Sequence, residues 1–138
     1  MKWAFDFTTP KPIGKDLKKA GGNPIGYDHN WVVRGEPNQM RQVAVLTEPK
    51  SGRVMTVEAD KPGVQFYTGN FLDGSTKGKG VSYAQYTGLC VETQAYPNAV
   101  NLPAWRNQVI LEAENEYTHH MVHRFSIATA EPVATDAA

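Results

Sequence analysis

From Trp31 onward the chain is a succession of short runs rich in Val, Tyr, Phe and Thr: "WVVR", "QVAVLTE", "GRVMTVEA", "GVQFYTGNF", "YTGLCVETQAY", "NQVILEA" and "EYTHHMVHRFSIA". Such residues fit a pleated surface, and turn signals separate the runs. "EPKSG", with Gly52, reads as a hairpin connection. No long helical pattern lies between the runs, and parallel strands would need one as a crossover. The expected fold is therefore all-β, an antiparallel β-sandwich. Before Trp31 the chain is punctuated by Pro10, Pro12, Gly14, Gly21, Gly22, Pro24 and Gly26. There "GKDLKKA" has room for one or two helical turns. The expected folded unit is 1–126, followed by a small, polar, disordered tail over 127–138.

Several runs, such as "QVAVL" and "LCV", are apolar on both faces. Two-sided apolar strands sit between layers. A chain of 138 residues builds one modest core. The pattern therefore anticipates a partner, by self-association or from a complementary chain.

Charge narrows the partner classes. Lys plus Arg and Asp plus Glu are both 14, so no net basic charge is available for phosphates. Nucleic acid is not an expected partner. No apolar run reaches membrane-spanning length, and "MKWAFDFTTPKP" lacks the apolar core of a signal peptide. The single cysteine, Cys90, precludes an intrachain disulfide and fits a reducing compartment. A soluble cytoplasmic protein is expected, with no membrane partner.

Side chains alternate between the faces of a strand. A strand over 89–94 puts Cys90, Glu92 and Gln94 on one face and Leu89, Val91 and Thr93 on the other. In "GVQFYTGNF", Gln65 and Tyr67 share a face opposite Val64, Phe66 and Thr68. Two polar stripes beside two apolar ones could line a cleft for a small polyol, with rings against the apolar sugar face and acids and amides on the hydroxyls. The plainer reading of Glu92 is a surface-facing strand acid. In "YDHNW", Asp28, His29 and Asn30 read most simply as turn residues.

Other clusters carry less. His119 and His123 would share a strand face but lie about 13 Å apart. Zinc needs its ligands about 2 Å away, so no metal site is expected there. Cys90 reads as a buried, inert thiol. "GNFLDGSTKGKG" has glycines at phosphate-loop spacing, but Ser75 stands where the lysine belongs.

"GYDHNW", "SGRVMTVEADKPGVQFYTGNFLDG" and "GLCVETQAYPNAVN", in this order and spacing, resemble the aldose 1-epimerases (galactose mutarotases). "FDF" with "PIGKDL" and the late "HRFS" match the same family, so the resemblance runs from about Ala4 to Ser126. It is to the C-terminal part of that family, and it implies one portion of a larger mutarotase-like supersandwich. Asn98 stands where the family commonly has Asp, Leu102 replaces a frequent Gln, and "EAENEY" replaces a Pro-Gly turn.

The resemblance implies interconversion of the α and β anomers of a hexose such as glucose or galactose, with no cofactor. It implies that Glu92, of "ETQ", is the base, and that Asp28, of "DHN", and Gln65, of "GVQFYTGN", bind the sugar. The family's acid histidine belongs to an N-terminal half without counterpart here, and none of the four histidines matches it. Three alternatives follow: a non-catalytic sugar-binding remnant, a fragment that folds with a complementary chain, and a glycosidase using Asp28 and Glu92 as its carboxylate pair.

Overall fold

The computed structural model describes residues 2–128, with the side chain of Lys2 left aside. Three short 3-10 turns, Lys2–Phe5, Ile13–Lys15 and Leu17–Lys19, open the chain. The last two are the helical turns anticipated in "GKDLKKA". Eight strands follow: β1 (Asp28–Val32), β2 (Arg41–Glu48), β3 (Arg53–Ala59), β4 (Gly63–Tyr67), β5 (Lys77–Gly78), β6 (Val81–Ser82), β7 (Cys90–Gln94) and β8 (Met121–Ile127). They form two three-stranded antiparallel sheets, ordered β1-β4-β7 and β2-β3-β8, and a small β5-β6 ribbon. The all-β antiparallel expectation holds. Among the described residues no helix is long and apolar enough to cross a membrane.

Two local expectations change. Asp28, His29 and Asn30 are not turn residues; they open β1. Their alternation explains it, because His29 and Trp31 turn inward to an aromatic cluster while Asp28 and Asn30 turn outward. The run "NQVILEA" is not a strand: Arg106–Gln108 is a 3-10 turn, and Val109, Ile110 and Leu111 stay exposed. Its β-formers pair with no strand of either sheet, and strand propensity depends on such a partner. The expected tail begins within β8 at Ile127, and 129–138 lie outside the described residues.

The β1-β4-β7 sheet owes its rigidity to its inner face. Phe5 meets the ring of His29 at 4.8 Å, Phe7 meets Phe66 at 5.9 Å, and Tyr27 stacks on Phe66 at 5.6 Å. Edge-to-face and offset pairs of this kind add to plain area burial. Trp31 Nε1 donates to Phe5 O (2.8 Å) and the Tyr27 hydroxyl donates to Ala4 O (2.8 Å), so the buried polar tips are satisfied. The irregular N-terminal segment thus covers the back of the sheet.

The second sheet joins the first through a polar corner. Arg41 donates to the carbonyls of Arg34, Gln39, Ala59 and Lys61. Asp60, buried after β3, accepts from the backbone N–H and the ring Nδ1 of His120, both at 3.0 Å. Val57 and Ala59 are fully buried near this corner. Toward the far end of the same face, Phe125 and Ile127 are 75% and 64% exposed, so that part of the sheet is open.

Candidate active site

The outer face of the β1-β4-β7 sheet is polar because of its register. Asn30 pairs with Gln65, and Gln65 with Glu92; Asp28 pairs with Tyr67, and Tyr67 with Cys90; Val32 pairs with Gly63, and Gly63 with Gln94. Residues directly opposite in a ladder share a face. Asp28, Gln65 and Glu92, grouped by the family resemblance, lie together on three adjacent strands. With Tyr67, Phe71, Gln94 and Pro97 they line an open hollow of about 410 Å³.

Hydrogen bonds set the orientation of these groups. Gln65 Nε2 donates to Asp28 Oδ1 at 2.7 Å. Gln94 Nε2 donates to Asn30 Oδ1 at 3.1 Å. Gly63 makes the second bond possible, since a Cβ there would lie 2.7 Å from Asn30 Oδ1. The Tyr67 hydroxyl accepts from Phe71 N (2.9 Å), and the two rings stack 6.5 Å apart at 23°. Aromatic walls beside acids and amides form a surface suited to a polyol.

Asp28 is held at its place by a second tier. The buried Asn70 donates from Nδ2 to Tyr27 O (2.9 Å) and accepts from Thr68 Oγ1 (2.6 Å); Thr68 Oγ1 in turn accepts from Tyr27 N (3.0 Å). Gly26 leaves the room this needs, since a Cβ would fall 2.0 Å from Asn70 Oδ1. "YTGN" therefore fastens the residue just before Asp28. Thr68 and Asn70 were not read as functional from sequence; the available signal was two hydrogen-bonding side chains flanking a glycine at a strand's end.

The remaining candidates fall elsewhere. His29 faces the aromatic cluster, away from the hollow, and its Nδ1 accepts from Asp28 N (3.0 Å). His119 Nε2 meets Thr93 Oγ1 at 2.8 Å, behind the Glu92 strand, and His123 pairs across with Val57. Among the described residues no three His, Cys, Asp or Glu side chains are placed to share a metal ion. Cys90 is not buried as expected: it is exposed on the edge strand β7. Its partial enclosure pushes the thiol above its ordinary range and the Glu92 carboxylate adds to the effect, which keeps it a poor nucleophile.

Comparison with known proteins agrees with the resemblance. A family model described as aldose 1-epimerase matches residues 1–124. Galactose mutarotase of Bos taurus is 44% identical over 126 residues, covering 91% of this chain and 36% of that protein. The human galactose mutarotase gives the same figures. Aldose 1-epimerase of Haemophilus influenzae is 33% identical over 105 residues, covering 75% of this chain and 30% of that protein. The chain spans about a third of the length of these relatives.

Proposed function

Because the chain belongs to the aldose 1-epimerase family, we propose that its polar hollow binds a hexose and that Glu92 is the base that exchanges the α and β anomers. The observation that carries this reading is the juxtaposition of Glu92, Gln65 and Asp28 on one sheet face over a hollow with an aromatic wall. Asp28 takes one N–H of Gln65 and so fixes which way that amide faces. Both carry hydroxyl-binding groups into the space in front of Glu92.

The chemistry is a pair of proton transfers. The Glu92 carboxylate removes the proton of the anomeric hydroxyl while an acid protonates the ring oxygen. The bond between C1 and the ring oxygen breaks and the aldehyde forms. After rotation about C1–C2, the freed hydroxyl attacks the other face of C1 and both protons return. Positioned proton transfer contributes roughly 10²–10⁴-fold. A glycosidase is less well supported, because the Asp28 carboxylate is engaged by Gln65.

None of the histidines lines the hollow. The acid in this proposal comes from a complementary polypeptide, which also covers the open apolar end of the β2-β3-β8 sheet. Alone, the chain binds sugar and turns it over weakly; self-association through the same apolar face is its default without that partner. Polarimetry of freshly dissolved α-D-galactose tests the role of Glu92. Glu92→Gln should remove any acceleration the chain provides, and acceleration that survives the substitution would falsify the assignment.

A further inference from the structure

Two glutamines face the hollow, and β1 holds them in the same way. Gln65 gives an Nε2 hydrogen to Asp28, and Gln94 gives one to Asn30. The second arrangement has a fixed polarity. Asn30 Nδ2 donates to the backbone carbonyl of Trp31 (3.2 Å), a group that only accepts. Asn30 must therefore turn its oxygen toward Gln94, and Gln94 must answer with its nitrogen. Among the described residues, the Gln94 carbonyl Oε1 and its second N–H take no partner. Gln94 stands two residues from Glu92 on the same face of β7 and lines the same hollow.

Such a construction exceeds what strand pairing needs. It requires a glycine at Gly63, because a Cβ there would come within 2.7 Å of Asn30 Oδ1 and 3.2 Å of the Gln94 backbone carbonyl. Its effect is to present one acceptor and one donor in a fixed orientation beside the proposed base. A sugar hydroxyl is both donor and acceptor, so a pre-oriented amide matches it and loses little freedom on binding.

We propose that Gln94 is a second hydroxyl-binding amide of the hollow and that Asn30 is its positioning residue. This rests on the hexose reading given above. It makes the face selective through two amides flanking Glu92, Gln65 across the ladder and Gln94 along the strand.

The test is a titration of the ¹⁵N-labelled chain with D-galactose, following the side-chain amides of Gln65 and Gln94. Both should shift with one common affinity. Gln94→Met, which keeps the volume and removes the hydrogen bonds, should weaken the binding seen at Gln65 by roughly tenfold. Asn30→Ala should free the Gln94 amide and weaken binding by a smaller factor, about threefold. If Gln65 responds while Gln94 stays silent, or Gln94→Met leaves the affinity unchanged, the inference falls and the hexose reading stands. If neither amide responds up to molar sugar, both fall.

Discussion

At the scale of the residue, the proposed function rests on which side chains the ladder places side by side. The faces of Glu92, Gln94, Gln65 and Tyr67 were legible from alternation, because period two is a property of any strand. What the pattern could not supply was the partner of each amide, since cross-strand neighbours depend on register. Gly63 is the clearest case, an unremarkable glycine in sequence that lies between Asn30 and Gln94 in space. Gly63→Ala should displace Asn30 and destabilise the chain by about 1–3 kcal/mol. Urea denaturation measures the cost, and an unchanged midpoint would contradict the close approach described here. Cys90 was misjudged because a free thiol is usually buried, whereas β7 lies at a sheet edge.

Among the elements, β2, β3, β4, β7 and β8 were readable as strands, and so was the β2–β3 hairpin. Of β1 only the end in "WVVR" was readable, because Asp28 and Asn30 at its start are turn formers by local preference. Their place is set by tertiary contacts, with His29 and Trp31 packed inward and Asn70 gripping Tyr27. Asn70→Ala removes that grip: the Tyr27 carbonyl keeps the Thr68 N–H but loses the Asn70 amide, and the Thr68 hydroxyl loses its acceptor. It should cost about 1–3 kcal/mol and loosen β1, seen as faster hydrogen exchange at Asn30 and Val32 than at the amides of β3.

The corner between the sheets makes a second prediction at this scale. Burial by itself raises the Asp60 carboxyl, but hydrogen bonds from the His120 backbone and ring, and the charges of Lys61 and His119, outweigh it and hold it below its ordinary value. A depressed folded-state value adds stability above the unfolded pKa, about 3.9. That contribution is lost as pH falls through the folded-state value. Unfolding should therefore become easier below about pH 4, and Asp60→Asn should flatten this acid-side slope while lowering stability at neutral pH. A slope unchanged in Asp60→Asn would mean that other carboxylates, such as Asp16 beside Lys11, carry the whole effect.

For the whole molecule, the two-sided apolar runs anticipate a covering partner. One end of the β2-β3-β8 sheet is open: Phe125 and Ile127 are exposed there, on the face that buries Val57 and Ala59. Patches of this kind mark interaction surfaces. Sedimentation should find the chain self-associating, and Phe125→Lys should shift it toward monomer without altering the sugar response at Gln65. A compact monomer in the unsubstituted chain would count against the proposed covering of this face.

The most direct test of the central claim supplies the proposed acid role from solution. Mutarotation of fresh α-D-galactose is followed by polarimetry in imidazole buffer near pH 6.5, where imidazolium can serve as a small proton donor. The account predicts a rate term that rises with both the chain and imidazolium, and that Glu92→Gln lowers by roughly 10²–10⁴-fold. An equal rate in Glu92→Gln, or full acceleration by the chain with no imidazole present, would contradict it.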